Sequence, residues 1–425
     1  MIQSSMNKMS DKPLRILMPS YRSHPFTGGQ GIYMRLVTKA MVELGHTVEV
    51  ISGQPYPILD EGVKLTKLPS LDLYSYDSPL KAFKFKLLKE PINLYEWLSH
   101  LSGGFSEPYT FGERMAVWGK KNYNRFDVVH DNQTLAYGLI KLRDMGVPVV
   151  GTIHHPITMD KRIDIKHAET LSLKLLKWRW YSFLKMQIKV ARQLDPIIVV
   201  SENTRKDVVK DFKIDPKKTR KVLHGIDHKT FEPIPSIKRK KNQLITTASA
   251  DVPLKGLIYL IRAYSDLLND FPDLSLIVIG KLRDGPTSKE LDKKGIKDKV
   301  KFISDLTSRQ IAELYAESTI AVSPSVYEGF GFPAGEAMSC GIPLISTNGG
   351  SLPEVVGESG IIVPHSNPDE LQKAIKELLL SPEKRKELGE KGRNRVLEKF
   401  TWKRAAKELV DVYREAISNA DNRSR

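Results

Sequence analysis

Two glutamates in the second half of the chain, Glu328 and Glu336, are separated by seven residues. The stretch between them opens with a glycine-interrupted loop: Gly329, Phe330, Gly331 and Phe332. Small and apolar residues follow and predict a helix, whose first turn would offer unpaired N–H groups and the positive end of its dipole. Because glycines also let the backbone approach a ligand closely, the loop predicts an anion site suited to a diphosphate.

The two carboxylates call for a different partner, because a diphosphate repels them. Charged acceptors form strong hydrogen bonds with hydroxyls, so a ribose suits Glu336 and a sugar suits Glu328. The alternative for Glu336 is a helix-start glutamate that the dipole favours. The loop, its helix and the apolar strand predicted at Ile342–Ser346 form part of a βαβ unit.

The stretch from Tyr327 to Val356 resembles the signature of retaining glycosyltransferases of the GT-B fold, in particular the fourth glycosyltransferase family (glycosyl transferases group 1). In that family the first glutamate lies against the donor sugar and phosphate, and the second binds the ribose. The resemblance therefore implies these roles for Glu328 and Glu336. It also implies α/β architecture with two Rossmann-like doubly wound domains facing each other across a cleft, and hexosyl transfer from a nucleotide-diphosphate sugar with retention.

Further positions match the same family. Lys255, at the start of a predicted helix, fits the lysine that holds the diphosphate, although an exposed helix-start lysine is the alternative. Asp305 lies where the family has its base-binding loop. The family's Gly-Arg pair is missing, since this region reads Ala248-Ser249-Ala250, and Lys281 or Arg283 is positioned to substitute. His224 also departs from the family, which has asparagine in that turn.

The first half of the chain opens with the strand Arg15–Pro19 and a glycine-rich loop, Gly28-Gly29-Gln30-Gly31. An amphipathic helix and the strand Thr47–Ser52 follow, so the segment is predicted to be a βαβ unit. The pattern is not the dinucleotide fingerprint G-x-G-x-x-G. The loop is either a plain connector or, as the resemblance implies, a cover for the donor phosphates or a wall of the acceptor cleft.

Two histidines, His130 and His154, follow predicted strands, and ligands of parallel α/β sheets bind at the carboxyl ends of strands. Either could instead be structural. The Thr-Ile-His segment matches the family position whose histidine meets the donor sugar or the acceptor, which favours His154 over His130 and His155. No metal and no cofactor are expected; Asp131 beside His130 is the nearest alternative ligand pair.

The composition limits the kinds of binding partner and the cellular compartment that are expected. A chain of 425 residues predicts two domains, and a formal net charge of +16 predicts an acidic partner: a nucleotide sugar, nucleic acid or anionic lipid. No basic-aromatic motif of a nucleic-acid module is present, so nucleic acid is not expected. The one cysteine, Cys340, is predicted to pack behind Glu336. A polar N-terminus and the lack of a long apolar run predict a cytoplasmic protein, peripheral on the inner face of the membrane if it contacts lipid.

Two segments could serve the acceptor, which stays open between a glycan, a lipid and a small molecule. Leu68–Thr110, rich in aromatic and lysine residues, is predicted to be an insertion that lines the acceptor side or simply a packed surface subdomain. Leu171–Arg192 is predicted to be one helix with basic residues at helical spacing. It is either a core helix with a solvated basic face or a basic amphipathic helix on anionic lipid.

Two domains are predicted: residues 1–232 bind the acceptor and residues 233–400 bind the nucleotide sugar. A helix in 401–425 is predicted to complete the first domain, and the tail from Ser418 is predicted to fray. The basic linker Pro233–Lys241 marks the boundary.

Two rival functions remain. One is a GT-B-fold epimerase or phosphorylase. The other is a non-catalytic nucleotide-sugar-binding or membrane-surface protein, which the missing arginine favours.

Overall fold

The strands form two parallel sheets in the part of the chain that the structure, a computed structural model, describes. That part comprises residues 12–25, 29–76, 78–83, 85, 89–166, 168–248 and 252–423. Gly28, Ser249 and Ala250 therefore lie outside the described residues.

The first sheet has seven strands in the order β3-β2-β1-β4-β5-β6-β7. The strands are β1 (Arg15–Ser20), β2 (Thr47–Ser52), β3 (Val63–Lys67), β4 (Val128–Asn132), β5 (Val149–Ile153), β6 (Ile197–Val199) and β7 (Thr219–Lys221). The accompanying helices are α1 (Gly29–Glu43), α2 (Pro91–Leu101), α3 (Glu107–Gly119), α4 (Tyr137–Asp144), α5 (Thr158–Lys166), α6 (Leu171–Trp180), α7 (Leu184–Ala191) and α8 (Glu202–Phe212).

The second sheet has six strands in the order β10-β9-β8-β11-β12-β13. The strands are β8 (Gln243–Thr247), β9 (Ser275–Ile279), β10 (Val300–Ile303), β11 (Ile320–Ser323), β12 (Leu344–Thr347) and β13 (Ile361–Val363). The helices are α9 (Leu257–Leu267), α10 (Pro286–Lys294), α11 (Ser308–Glu317), α12 (Phe332–Ser339), α13 (Leu352–Val356), α14 (Pro368–Leu380), α15 (Pro382–Lys399) and α16 (Trp402–Arg423).

Local sequence explains these elements well. The central strands β4 and β5 are buried along their whole length, as expected for parallel strands covered by helices on both faces. Helix α11 begins at Ser308 because the Thr307 side chain accepts the N–H of Gln310 while Gln310 caps Thr307 in return. The predicted α/β fold class is confirmed, with two Rossmann-like sheets of helix-covered parallel strands.

The chain divides into two compact units. The first contains residues 1–200, 204–222 and 405–425, and the second contains 201–203 and 223–404. Most of α16 therefore belongs to the first unit, although it follows the second in sequence. The linker predicted at Pro233–Lys241 lies inside the second unit, and the acceptor and donor roles of the two domains stay predictions.

In each sheet the strand order reverses at one pair of neighbours. In the first sheet β1 pairs with both β2 and β4, and in the second β8 pairs with both β9 and β11. A chain that turns in opposite directions from two adjacent strands leaves a crevice beyond their carboxyl ends, where ligands of such sheets bind. These two edges carry most of the residues that the sequence singles out.

Two predictions about helices are wrong. Leu171–Arg192 is divided by a 3₁₀ turn at Tyr181–Phe183, because Tyr181 and Phe183 are both buried in one aromatic cluster, whereas residues two apart point to nearly opposite sides of an α-helix. The tail from Ser418, predicted to fray, continues α16 to Arg423.

No helix among the described residues is both long and apolar enough to cross a bilayer.

Candidate active site

An ion pair stands at the carboxyl edge of the second sheet. Lys255, which follows β8, places its Nζ 2.7 Å from Oε1 of Glu328, which follows β11. The hydroxyl of Ser325 donates to the same carboxylate oxygen at 2.8 Å. The other oxygen, Oε2, receives no hydrogen bond from a described residue. The carboxylate is thus anchored through one oxygen and has the other available for a ligand.

Tight backbone contacts hold this pair in place. Gly256 has φ +61°, and a Cβ there would lie 2.1 Å from the carbonyl oxygen of Pro324. Gly350 has φ +64°, and a Cβ there would lie 2.2 Å from the carbonyl oxygen of Glu328. That carbonyl also accepts both the N–H and the hydroxyl of Ser351 at 3.0 Å. Only glycine allows such approaches at a left-handed backbone conformation, which explains these glycines beside Lys255 and Glu328.

Helix α12 begins directly after the loop that carries Glu328. Gly331, the residue before its first turn, is left-handed, and Pro333 occupies the first turn, where its missing N–H costs nothing. Because β11 leads into this loop, the amino end of α12 lies beyond the carboxyl edge of the sheet. The anion site predicted at this helix start stays a prediction, and the Lys255–Glu328 pair lies at the same edge of the sheet.

Glu336 lies one turn inside α12. Burial, and after it the nearby Asp227, raises the pKa of its carboxyl to about 7. Tyr315 lies beside it, and its hydroxyl contacts Thr247 Oγ1 at 3.1 Å and donates to the Pro333 carbonyl at 3.3 Å. The Glu336 carboxylate accepts no hydrogen bond from a described residue. A half-buried carboxylate that no described residue bonds favours a ligand hydroxyl over the structural alternative.

The two phenylalanines of the loop have a packing role. The His224 ring stacks on Phe332 at 5.4 Å and lies 5.1 Å from Phe330. Phe330 is also 5.9 Å from Phe400, and Phe332 is 6.4 Å from Trp402. Because both rings are used in packing, Phe330 and Phe332 would contact the substrate through their main-chain atoms. Histidine at position 224, where the family has asparagine, contributes an aromatic face to this cluster.

Asp305 and Lys281 meet at the far side of the same edge. Lys281 follows β9 and its Nζ lies 3.5 Å from Asp305 Oδ2, with both side chains exposed. Asp305 has φ +60°. The Ser304 hydroxyl and then the Lys281 charge lower the pKa of the Asp305 carboxyl. Lys281 is thus paired with Asp305, and no contact of it with the Lys255–Glu328 pair is found within the described residues.

A neutral hydrogen-bond network occupies the carboxyl edge of the first sheet. His154 follows β5, and its Nε2–H donates to Oδ1 of Asn132, the last residue of β4, at 2.6 Å. The Asn132 amide donates in turn to the hydroxyl of Ser20, the last residue of β1, at 3.2 Å. Burial lowers the pKa of His154 to about 3, so its imidazole is neutral at physiological pH. The network links the three adjacent strands around the point of reversal.

The main chain at His154 is fixed by Gln133. Its Oε1 accepts the N–H groups of His154 and His155 at 2.7 and 3.3 Å, and its Nε2 donates to the His155 carbonyl at 2.6 Å. The ring of Tyr33, from α1, meets the His154 ring edge to face at 4.6 Å. The helix that follows the glycine-rich loop therefore supports His154. Within that loop Gly29, Gln30 and Gly31 form the first turn of α1.

His130 has a different environment. It is fully buried, with Nε2 2.6 Å from Thr152 Oγ1 and Nδ1 2.5 Å from the hydroxyl of Tyr413 in α16. Burial, and then His154, lowers its pKa to about 3. Both ring nitrogens are used inside the unit, which is the pattern of a structural histidine. Its predicted substrate contact stays a prediction that this geometry does not favour.

Neither edge resembles a metal centre within the described part of the chain. Among the described residues no group of three or more histidine, cysteine, aspartate or glutamate side chains is placed to hold a metal ion. Asp131, the alternative ligand beside His130, accepts the Leu135 N–H at 2.8 Å and is fully buried, which raises its pKa to about 7. Cys340 is buried behind Glu336, as predicted.

Comparison with known proteins identifies the chain. The Glycosyltransferase Family 4 profile matches residues 27–230, and the Glycosyl transferases group 1 profile matches residues 229–395. The MMP alpha-(1->4)-mannosyltransferase of Mycolicibacterium hassiacum is 42% identical over 410 residues, which cover 95% of this chain and 99% of the relative. The chain belongs to the fourth glycosyltransferase family (glycosyl transferases group 1).

Other similar proteins agree with this assignment. The glycosyltransferase is 26% identical to a D-inositol 3-phosphate glycosyltransferase of Streptomyces bingchenggensis, over 97% of this chain and 91% of the relative. Its fold resembles a sucrose-phosphate synthase from Thermosynechococcus elongatus with a TM-score of 0.71 at 20% identity, over 96% and 100% of the two chains. Anabaena HepE in complex with UDP and glucose gives 0.67 at 15%, with the same coverage. The predicted GT-B fold and family are thus confirmed.

Sequence reasoning about the glycosyltransferase missed three contributors: Ser325, which anchors Glu328, and Asn132 and Gln133, which hold His154. A usable signal was present, because Asn132 and Gln133 are polar residues at the end of a buried strand, where parallel sheets hold their ligands. Ser325 carried no comparable signal, since one serine in a loop is common.

Proposed function

We propose that this glycosyltransferase transfers a mannosyl residue, with retention of configuration, from a nucleotide-diphosphate sugar to a hydroxyl of a saccharide acceptor. The observation that carries the proposal is the Lys255–Glu328 pair at the amino end of α12. The choice of mannose rests on the full-length similarity to an alpha-(1->4)-mannosyltransferase. The acceptor is soluble or lipid-linked, and phosphorylated acceptors belong in any search because the inositol 3-phosphate enzyme is also a relative.

Departure of the nucleotide diphosphate develops negative charge on its phosphate oxygens. The Lys255 ammonium and the first-turn N–H groups of α12 supply positive charge at the same sheet edge. Fixed donors aimed at developing charge are typically the largest single contribution to catalysis. In the absence of donor Lys255 is paired with Glu328, so a bound diphosphate would compete for, or share, the ammonium.

Glu328 would orient the donor sugar through the oxygen that Lys255 and Ser325 leave available. An ionised carboxylate forms strong hydrogen bonds with sugar hydroxyls. Oε1 of Glu328 already accepts hydrogen bonds from the Lys255 ammonium and the Ser325 hydroxyl. The Glu328 carboxylate is therefore a weakened nucleophile. This favours attack by the acceptor on the same face that the diphosphate leaves, without a covalent enzyme intermediate.

Glu336 would accept a hydrogen bond from a ribose hydroxyl of the nucleotide, in keeping with a half-buried carboxyl that no described residue bonds. His154 would bind a sugar hydroxyl as a neutral imidazole held by Asn132. Cys340, the one cysteine of the chain, is free, which fits a reducing compartment, and the proposal sets the reaction in the cytoplasm.

The test is a transfer assay with nucleotide-diphosphate mannoses and glucoses against a panel of mannosides, phosphorylated sugars and polyols. Lys255→Ala and Glu336→Ala are assayed beside the parent, and NMR of the product gives its anomeric configuration. We expect an α-mannoside from an α-linked donor and strong loss of transfer in Lys255→Ala.

Three results would overturn parts of the proposal. A β-linked product would exclude retention. Donor conversion without any acceptor, or only with inorganic phosphate, would favour an epimerase or a phosphorylase. Donor binding in a thermal-shift assay without transfer to any acceptor, and unaffected by Lys255→Ala, would favour a non-catalytic binding protein, as the Ala248-Ser249-Ala250 segment suggests.

A further inference from the structure

Helix α6 of the first unit contains no buried residue, although six of its ten residues are leucine or tryptophan. Five of these six side chains are exposed. Leu171, Leu175 and Trp178 have exposed fractions of 74%, 62% and 56%. Their spacing of four and three residues puts them on one side of the helix. We name this side, formed by Leu171, Leu175 and Trp178, the outer face of α6.

The opposite side of α6 is attached to the first unit. Trp180 stacks on Phe105 at 5.0 Å, and Leu176 lies against Gly103, where a Cβ would approach it to 2.3 Å. Arg179 donates to the hydroxyls of Ser99 and Ser102 at 3.1 and 2.9 Å. The outer face therefore belongs to a helix that is held in place, and its exposure does not come from a detached segment.

The neighbouring helix α2 also exposes apolar residues. Arg179 of α6 bonds its carboxyl-terminal end, and Tyr95, Leu98 and Leu101 of α2 are exposed at helical spacing. Leucines and aromatic residues exposed this densely are unusual on a monomeric protein and mark an interaction site.

The charges around the outer face are mostly positive. Helix α6 carries Lys174, Lys177 and Arg179 and no acidic residue. Lys161 of α5 places its Nζ 4.1 Å from the centre of the Trp178 ring. Residues 158–192 contain nine lysines and arginines against three acidic residues, and two of these acids are already paired, Asp160 with His155 and Asp164 with Lys177.

We propose that the outer face of α6 docks the first unit on an anionic membrane surface. The leucines and Trp178 would enter the boundary between headgroups and acyl chains, and the surrounding lysines would lie among lipid phosphates. A second copy of the chain is a poorer occupant, because pairing two such faces would bring basic residues of the same sign together. A sugar is also a poorer occupant, since leucines offer it no hydrogen bonds.

Vesicle flotation of the full-length protein tests the proposal. The vesicles are phosphatidylcholine alone and phosphatidylcholine mixed with phosphatidylglycerol. We expect binding to the mixed vesicles, weakened by added salt, and little binding to phosphatidylcholine. In Leu171→Ser/Leu175→Ser binding should fall by about tenfold or more, because two buried leucines are removed from the interface. In Lys174→Glu it should fall about fivefold at low salt.

Matched variants remove similar residues elsewhere. Leu380→Ser/Leu397→Ser exchanges two leucines of the second unit, 66% and 43% exposed, and Lys386→Glu reverses an exposed lysine there. Both should bind vesicles like the parent. Melting temperatures of all four variants verify that they fold.

Three results would overturn the proposal. The first is an absence of flotation with mixed vesicles. The second is self-association without lipid, seen by light scattering and abolished by Leu171→Ser/Leu175→Ser, which would identify a second copy as the occupant. The third is equal loss of flotation in the control variants. The test needs no sugar donor, so it stands or fails independently of the proposed reaction.

Discussion

The two sheets have the same strand order around their point of reversal, yet they hold different chemistry at that point. The second sheet ends in a charged pair, Lys255 and Glu328, beside the amino end of a helix. The first ends in a neutral network, His154, Asn132 and Ser20. The shared fold therefore supplies a place for a ligand, and the side chains at the strand ends decide which ligand suits it.

The electrostatics sharpen this difference. In the first unit burial keeps His154 uncharged and raises the pKa of Asp131 to about 7, so that edge disfavours charge of either sign. In the second unit a lysine and a helix dipole favour an anion. We expect the first edge to bind neutral hydroxyl groups and the second to bind a diphosphate.

The largest effect is expected when the charge of the second edge is removed. In Lys255→Ala kcat should fall by about 10²–10³, since one fixed donor to the developing diphosphate charge is lost. Lys255→Arg keeps the positive charge and should retain more activity. The matched control is Lys373→Ala, which removes an exposed lysine of the same unit. Steady-state kinetics of the three variants would contradict the proposed contrast if Lys255→Ala behaved like Lys373→Ala.

A charge placed in the neutral edge of the first sheet should lower activity less than Lys255→Ala does. It should also change the pH dependence of activity. In Asn132→Asp a carboxylate would face His154 Nε2 and raise the pKa of that imidazole from about 3. We expect about a tenfold lower kcat/KM and a new fall in activity as pH decreases, because protonated His154 accumulates.

Asn132 is a positioning residue, and the pH–rate profile separates that role from general damage to the fold. Asn122→Asp, outside both edges, should keep the parent's profile. A profile for Asn132→Asp that is merely scaled down, without a new limb, would mean that Asn132 does not control the protonation of His154.

Glu336→Gln should act on donor binding. Its KM for the donor should rise about tenfold with kcat little changed, because a hydrogen bond present in both ground and transition states is weakened. The pKa of Glu336 is about 7, and the ionised form is the stronger acceptor. The parent's KM should therefore decrease as pH rises through about 7. Glu336→Gln should lack this decrease, and a parent KM independent of pH would contradict the ribose role.

The smallest effect concerns stability. His130 and His154 have pKa values of about 3 in the folded state and of 6.5 in a free histidine. Between these two pH values the unfolded chain binds more protons than the folded protein. Each histidine should therefore cost about 1 kcal/mol of stability as pH falls from about 7.5 to about 5.5. His130→Gln should reduce that loss, while His365→Gln, on the surface, should not.

Denaturant unfolding at the two pH values measures this effect. Asp131, Glu107 and Glu336 have pKa values raised to about 7, and they contribute the opposite slope because their folded forms hold protons longer. The quantity to compare is therefore the difference between each variant and the parent. An identical difference for His130→Gln and His365→Gln would contradict the assignment of His130 as a buried neutral histidine.

Sequence reasoning reached the fold because its signals are local. Buried strands such as β1 and β5 are mostly apolar, and caps such as Thr307 define helix starts. Glu328 and Glu336 were likewise found from motif spacing, and Lys255 from its resemblance to a lysine of the family. The helix break at Tyr181–Phe183 was not, because it results from burial of both rings in a cluster with Phe105, a residue distant in sequence.

The sequence by itself determined the two α/β halves, which follow from periodicity, and the pair of glutamates, which follows from spacing within one loop. The family and Lys255 follow from resemblance to the family's motifs. Only the tertiary structure decided which residues work together. It joined Ser20, Asn132 and His154 from three strands, paired Lys281 with Asp305, and bonded His130 to Tyr413. It also left the outer face of α6 exposed. Such contacts link positions far apart in the chain, and they form only when the strands are placed side by side.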